Sequence, residues 1–169
     1  MFTKAMILLF SLLSFTISTY AVESFPFIGV TIETHTIDLK SSSNLPSEHE
    51  KTIGIRYGRQ TLDWRTMFTL SLNSDYTSFA MEIDKILLDS MFGMPELRPY
   101  IGATVGYIKY DAIPNIDTNE GLFYGANAGF LIYATDTIDT DISYHYYFMD
   151  SMNPLNTFKG VTLGVHYFY

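Results

Sequence analysis

Along most of this chain, large apolar residues alternate with small or polar ones, in stretches of about ten residues separated by turn formers. A period of two is the signature of a strand whose faces meet different surroundings. The last ten residues show it most clearly. Val161, Leu163, Val165, Tyr167 and Tyr169 fall on one face; Gly160, Thr162, Gly164 and His166 fall on the other, where Phe168 is the only large apolar group.

The same reading applied upstream predicts a regular series of strands. Phe27–Leu39 sets Ile28, Val30 and Ile32 against Gly29, Thr31, Glu33 and His35. Lys51–Gln60 sets Ile53, Ile55 and Tyr57 against Gly54, Arg56 and Gly58. Trp64–Asn73 places Trp64, Phe68, Leu70 and Leu72 opposite Arg65, Met67, Thr69 and Ser71. Thr77–Leu88 places Phe79, Met81, Ile83 and Leu87 opposite Ser78, Ala80, Glu82 and Asp84. Leu97–Tyr110, Leu122–Tyr133 and the segment from Ile138 to Phe148 continue the alternation, with Tyr100, Gly102, Thr104, Asn127, Asp139, Asp141, Ser143 and His145 on the polar face. Connections are expected at Lys40–Glu50, Thr61–Asp63, Asn73–Asp75, Asp89–Glu96, Asp111–Glu120, Ala134–Asp136 and Asp150–Asn156. With the terminal segment this makes eight strands joined by hairpins.

A soluble sandwich would turn the large apolar face inward. Here the opposite face gathers Gly, Thr, Asn, Glu, Asp, Arg and His, a set suited to a crowded polar lumen, which leaves the apolar face for lipid. The expected fold is therefore all-β: an eight-stranded antiparallel up-and-down transmembrane β-barrel. Composition agrees. Aromatic residues make up 16% of the chain while its mean hydropathy is only +0.11; alternation produces that combination, whereas spanning helices need long apolar blocks, and none follows residue 17.

The amino terminus predicts export. Lys4 precedes an apolar or hydroxylated run from Ala5 to Ile17, and Thr19-Tyr20-Ala21 supplies small residues where a signal peptidase cuts. Residues 1–21 are read as a cleaved signal peptide and 22–169 as the barrel domain. With no cysteine in the chain, lipid attachment through a cysteine and a disulfide framework are both excluded. The formal net charge of −8 gives no support to nucleic-acid binding.

An even strand count puts both chain termini on one side, which export would make periplasmic. The loops at Lys40–Glu50, Asn73–Asp75, Asp111–Glu120 and Asp150–Asn156 would then face outward from the cell, and the connections near Asp63, Gly93 and Thr135 would be periplasmic. The outward aromatics fall into two belts on this topology: Tyr57, Trp64, Tyr167 and Tyr169 toward the periplasmic rim, Tyr107, Tyr124, Tyr146 and Phe148 toward the outer rim. Lys85 is the exception to the apolar face. It is expected either to snorkel to the periplasmic interface or to mark a bulge.

Four stretches carry a resemblance. Arg98-Pro99-Tyr100-Ile101-Gly102-Ala103-Thr104-Val105-Gly106-Tyr107 resembles the fifth strand of the small outer-membrane barrels of the outer-membrane protein A and X type. Tyr124–Phe130 and Ile138–Tyr147 continue the likeness, and Lys159–Tyr169, with its terminal aromatic, is similar to the carboxy-terminal strand by which such barrels are recognised for insertion. The resemblance implies a monomer in the outer membrane, in contact with lipid and lipopolysaccharide, and delivered to the barrel-assembly machinery through its last strand. The sequence offers no counterpart, after the strand pattern at 160–169, of the peptidoglycan-binding domain that follows the barrel in larger members, so no cell-wall tether is expected.

Inside the barrel, the parity of the strands gathers carboxylates Glu33, Glu82, Asp84, Asp139 and Asp141 with cations Arg56, Arg65 and Arg98. Folding the first hairpin about its loop centre would face Glu33 with Arg56; folding the second about Ser74 and Asp75 would face Arg65 with Asp84. Buried charges require partners, so the expectation is a salt-bridged plug that fixes register, with a narrow proton or ion path as the alternative. Eight strands leave room for side chains alone. An enzyme acting on lipid A is the rival class. It would need a nucleophile and base within reach of an acyl chain; His35, His145 and His166 point inward, and His49 lies in a loop among Ser47, Glu48 and Glu50, a spacing poorly suited to a triad. Asp111, Asp117, Asn119 and Glu120 offer oxygen ligands for a divalent cation but match no calcium-loop spacing, so they are read as a solvated acidic surface. No cofactor, metal site or catalytic residue is assigned. The expected role is structural or recognitional, through envelope integrity or short surface loops.

Overall fold

The computed structural model describes residues 23–39, 48–87, 93–110, 120–150 and 155–169, with side chains left undescribed at 37–39, 48–50, 110 and 155. The signal-peptide reading, the cores of the 40–50, 111–120 and 150–156 loops with their cation candidates, and the side chains around His49 all lie outside the described residues.

Eight antiparallel strands close into one barrel: β1 (Phe25–Leu39), β2 (Glu48–Gln60), β3 (Trp64–Leu72), β4 (Tyr76–Ile86), β5 (Leu97–Tyr110), β6 (Glu120–Tyr133), β7 (Ile138–Asp150) and β8 (Leu155–Phe168). Each strand pairs with its neighbours in sequence, and β1 closes on β8. Every strand reaches the nine or more residues that a tilted strand needs to cross a hydrocarbon layer. The strands are the predicted ones with shifted ends: β1, β2, β6 and β7 run two or three residues further, β8 begins earlier, at Leu155, and β3 and β4 stop one and two residues sooner, at Leu72 and Ile86.

Three tight connections share one device. Thr61 Oγ1 accepts from the backbone N–H groups of Asp63 and Trp64 at 3.3 and 3.0 Å. Asn73 Oδ1 accepts from Asp75 and Tyr76, both at 2.7 Å. Thr135 Oγ1 accepts from Thr137 and Ile138 at 3.2 and 3.0 Å. A short side chain at the first turn position thus takes the amides that the reversing ladder leaves over. In the longer β4–β5 connection, Gly93 adopts φ 66°, a backbone state that glycine enters without penalty.

The outward face is apolar along the middle of the strands, where Val30, Ile32, Ile53, Ile55 and Leu163 are each half to two-thirds exposed, and it carries charges such as Lys51, Arg59 and Lys85 toward the strand ends. The inward face is filled almost completely by side chains. At the end bearing both termini (the terminal end), Ile86, Tyr100 and Leu131 form an apolar cluster. At the opposite, loop end, Tyr76, Ile108, Phe123, Tyr147 and Phe158 form another. Charged and polar side chains fill the middle. The apolar caps depart from the expectation of a lumen that is small and polar along its whole length. The strands taper into loops at both ends, and bulky side chains there close what the central charges cannot.

Candidate functional site in the barrel lumen

Because parity sends Arg65, Asp84, Glu82, Arg56 and Asp141 to the same interior, their long side chains meet across the barrel. Asp141 on β7 is the hub. Its Oδ2 accepts from Arg56 Nη1 at 2.8 Å and from Arg65 Nη2 at 3.0 Å, and its Oδ1 accepts from the Tyr100 hydroxyl at 2.7 Å. Arg65 also donates through Nε to Asp84 Oδ2 at 2.8 Å, and its guanidinium lies 4.5 Å from the centre of the Tyr100 ring. Asn127 Nδ2 bridges Glu82 Oε1 at 2.8 Å and Asp84 Oδ1 at 2.9 Å, while Thr104 donates to Glu82 Oε2 at 3.1 Å. Arg65, Asp84 and Asp141 are each wholly shielded. Charges this deep persist only with near-complete satisfaction, and the hub supplies it.

Two histidine pairs extend the network. Toward the terminal end, His166 Nδ1 lies 2.7 Å from Asp139 Oδ1, and its Nε2 lies 3.4 Å from Arg56 Nη1. Toward the loop end, His35 Nε2 lies 3.1 Å from Glu33 Oε2 and its Nδ1 lies 2.9 Å from His145 Nε2; Thr162 completes the chain at 3.3 Å. Phe158 stacks on His35 with ring centres 4.1 Å apart. Arg56 Nε and Arg65 Nη1 have no protein partner among the described residues. A polar cavity of about 30 Å3 touching Arg56, Glu33 and Glu82 has room for about one water molecule beside them.

The second hairpin pairs Arg65 with Asp84, as its short turn predicts. The first does not pair Glu33 with Arg56. The observed register sets Glu33 opposite Thr52 and Arg56 opposite Gly29, so each long inward side chain faces a smaller one; Glu33 turns to His35 and Thr31 instead. Arg98 sits at the terminal mouth, where it donates to the Leu62 carbonyl at 3.2 Å and lies 5.8 Å from the Tyr133 ring centre. It is away from the mid-lumen hub, since it occupies only the second position of β5. Tyr100 and Asn127 were legible as inward but not as partners of the charges, because their contacts cross the lumen rather than follow the ladder.

The aromatics of the two rims point outward. Tyr57, Trp64, Tyr167 and Tyr169 line the terminal end; Tyr107, Tyr124 and Tyr146 lie toward the loop end, with the Phe148 ring tilted against Tyr124 and edge-on to Tyr146, centres 6.1 and 5.2 Å apart. Lys85 reaches back along the surface to Asp63 at 3.2 Å and lies 5.0 Å from the Trp64 ring centre. The β3–β4 ladder runs through it unbroken, so snorkelling, and no bulge, accommodates it.

Gly102 makes the hub possible. A Cβ there would come within 1.9 Å of Asp84 Oδ1 and within 2.8 Å of Asn127. Gly102→Ala is expected to cost about 1–3 kcal/mol through overpacking, measurable as a shift in the urea midpoint. An unchanged midpoint would mean that Asp84 has free space around it.

No family model matches the sequence, and no curated protein matches it by sequence. Solved structures do match. Neisserial surface protein A is 16% identical, with a TM-score of 0.63 over 85% of this chain and 97% of that one. Outer membrane protein H of Pseudomonas aeruginosa, solved in micelles, is 22% identical, with a TM-score of 0.64 over 86% of this chain and 99% of that one. The attachment invasion locus protein of Yersinia pestis, crystallised with the heparin analogue sucrose octasulfate, is 13% identical, with a TM-score of 0.56 over 87% of this chain and 99% of that one. Closed topology, strand count and these matches agree: the chain has the fold of the small eight-stranded outer-membrane β-barrels.

Proposed function

We propose that this protein is a monomeric outer-membrane barrel, exported by its amino-terminal segment and inserted through β8, whose lumen is a salt-bridged plug and whose role is structural or recognitional. The burial of Arg65, Asp84 and Asp141 carries the reading: an open pore would hydrate these groups, whereas here they cross-link β3, β4 and β7 from within. The scaffold so stiffened presents its loops to a ligand or neighbouring surface, and its outer face to lipid and lipopolysaccharide.

Electrophoresis of the outer-membrane fraction tests this, boiled against unboiled. A closed barrel resists detergent until heated, so a mobility shift is expected. Absence of a shift, with the protein in the soluble periplasm, would return the outward face to protein–protein packing. In planar bilayers the purified barrel is expected to show no stepped conductance, because the polar cavity of about 30 Å3 is capped by apolar clusters at both ends. Regular single-channel steps would support the narrow-channel alternative. Altered acylation of lipid A on expression would establish the enzymatic one.

A further inference from the structure

The outward face is not uniformly bulky. Ala103 on β5 and Ala126 and Ala128 on β6 form a shallow floor between Trp64 and Ile83 on one side and Tyr144 and Tyr146 on the other, with Ile101 rising beside Lys85, along an open recess of about 750 Å3. The register makes this one continuous feature: Ile83 pairs with Ala103, Ala103 with Ala126, and Ala126 with Tyr146. The recess begins at Lys85, next to the last residue of β4 at the terminal rim, and reaches Tyr144 and Tyr146, well inside β7. It therefore runs obliquely from the membrane interface toward the bilayer centre. At its rim stands a paired cation and anion, Lys85 and Asp63, 3.2 Å apart and both partly exposed.

We propose that this groove is a binding site for one phospholipid with a phosphoethanolamine headgroup, drawn from the leaflet at the terminal end. The inference rests on the membrane-spanning reading and extends it to a ligand. In hydrocarbon an acyl chain gains nothing from hydrophobic burial, and packing decides where it rests. A methyl floor flanked by Trp64 and Ile83 on one side and by Tyr144 and Tyr146 on the other gives a chain contact below and along its flanks, where a convex barrel surface gives it on one side. The headgroup follows from the charges. A lone lysine would attract any anionic lipid; Asp63 beside it disfavours a headgroup that is only negative and matches one whose primary ammonium can donate hydrogen bonds to the carboxylate, which the quaternary ammonium of phosphocholine cannot. The lipid phosphate sits on Lys85 and its ammonium on Asp63. The indole of Trp64, 5.0 Å from the lysine nitrogen, holds the site at interfacial depth.

Native mass spectrometry of the full-length barrel in detergent, titrated separately with dioleoyl phosphatidylethanolamine, phosphatidylglycerol and phosphatidylcholine, tests this. Phosphatidylethanolamine adducts are expected to dominate. Lys85→Ala should lower them roughly fivefold, the worth of one basic residue near a membrane surface. Asp63→Asn should raise phosphatidylglycerol to the level of phosphatidylethanolamine. Ala126→Phe, which fills the groove and leaves both charges, should lower adducts of every lipid while preserving the boiling shift. A barrel that keeps its boiling shift but binds the three lipids equally, or binds phosphatidylethanolamine unchanged after Ala126→Phe, overturns this inference alone. So does a dimer mass that Ala126→Phe abolishes, since the groove would then seat a second copy. A protein with no boiling shift overturns the membrane reading and the lipid site together.

Discussion

Asp141→Ala is expected to destabilise the barrel by about 3–5 kcal/mol, the cost of leaving a buried ion pair with one side missing. The substitution strips both guanidiniums of Arg56 and Arg65 of their shared acceptor, and Tyr100 of its own. None of the three can turn to solvent, because Arg65 is 0% exposed, Tyr100 1% and Arg56 only 3%. The chain's one tryptophan, Trp64, stands on the outward rim and reports insertion and unfolding directly by fluorescence in urea. Asp141→Asn keeps the shape and the hydroxyl's acceptor but removes the charge, so its loss should fall between wild type and alanine. A change below about 1 kcal/mol for both variants, the range of solvated surface pairs, would mean that the lumen is hydrated and the plug reading wrong.

Leu163→Arg is the second large effect, and it discriminates between lipid and water outside. Leu163 pairs with Ile32 at the midpoint of β1 and with Ile142 on β7, and is 48% exposed. At the centre of a bilayer an outward arginine costs about 2–4 kcal/mol, falling toward zero near the interfaces. On a water-exposed sheet the same change would be within about 0.5 kcal/mol. Comparing Leu163→Arg with Tyr167→Arg, nearer the rim, in vesicle-inserted protein should give a steep depth dependence. Equal and small effects at both positions would indicate that the outward face does not contact hydrocarbon.

Much of the architecture could be read without coordinates because a period of two is a local property: Val161, Leu163 and Val165 declare their face whatever they pair with. The Arg65–Asp84 pairing was readable for a related reason. Asn73-Ser74-Asp75 is short enough to admit one register, and the Asn73 side chain fixes its closure. The Lys40–Glu50 stretch is long enough to admit several registers, and symmetric closure put Glu33 opposite Arg56 when the true register is shifted. The hub itself was out of reach. Arg56, Arg65 and Tyr100 meet Asp141 from strands that are not its ladder neighbours, so no pairing rule brings them together. Only the curvature of the closed sheet does.

That closure makes the seam between β1 and β8 unexceptional. Phe27 pairs with Phe168, and the Tyr169 amide reaches the Pro26 carbonyl at 3.2 Å, much as neighbouring strands meet at any other hairpin. Which strand comes first is thus a matter of biosynthesis rather than of stability. A circular permutant, with a short linker across the seam and new ends cut within Asn73-Ser74-Asp75, would keep the same hydrogen-bonded cylinder. It would also carry its termini to the opposite rim.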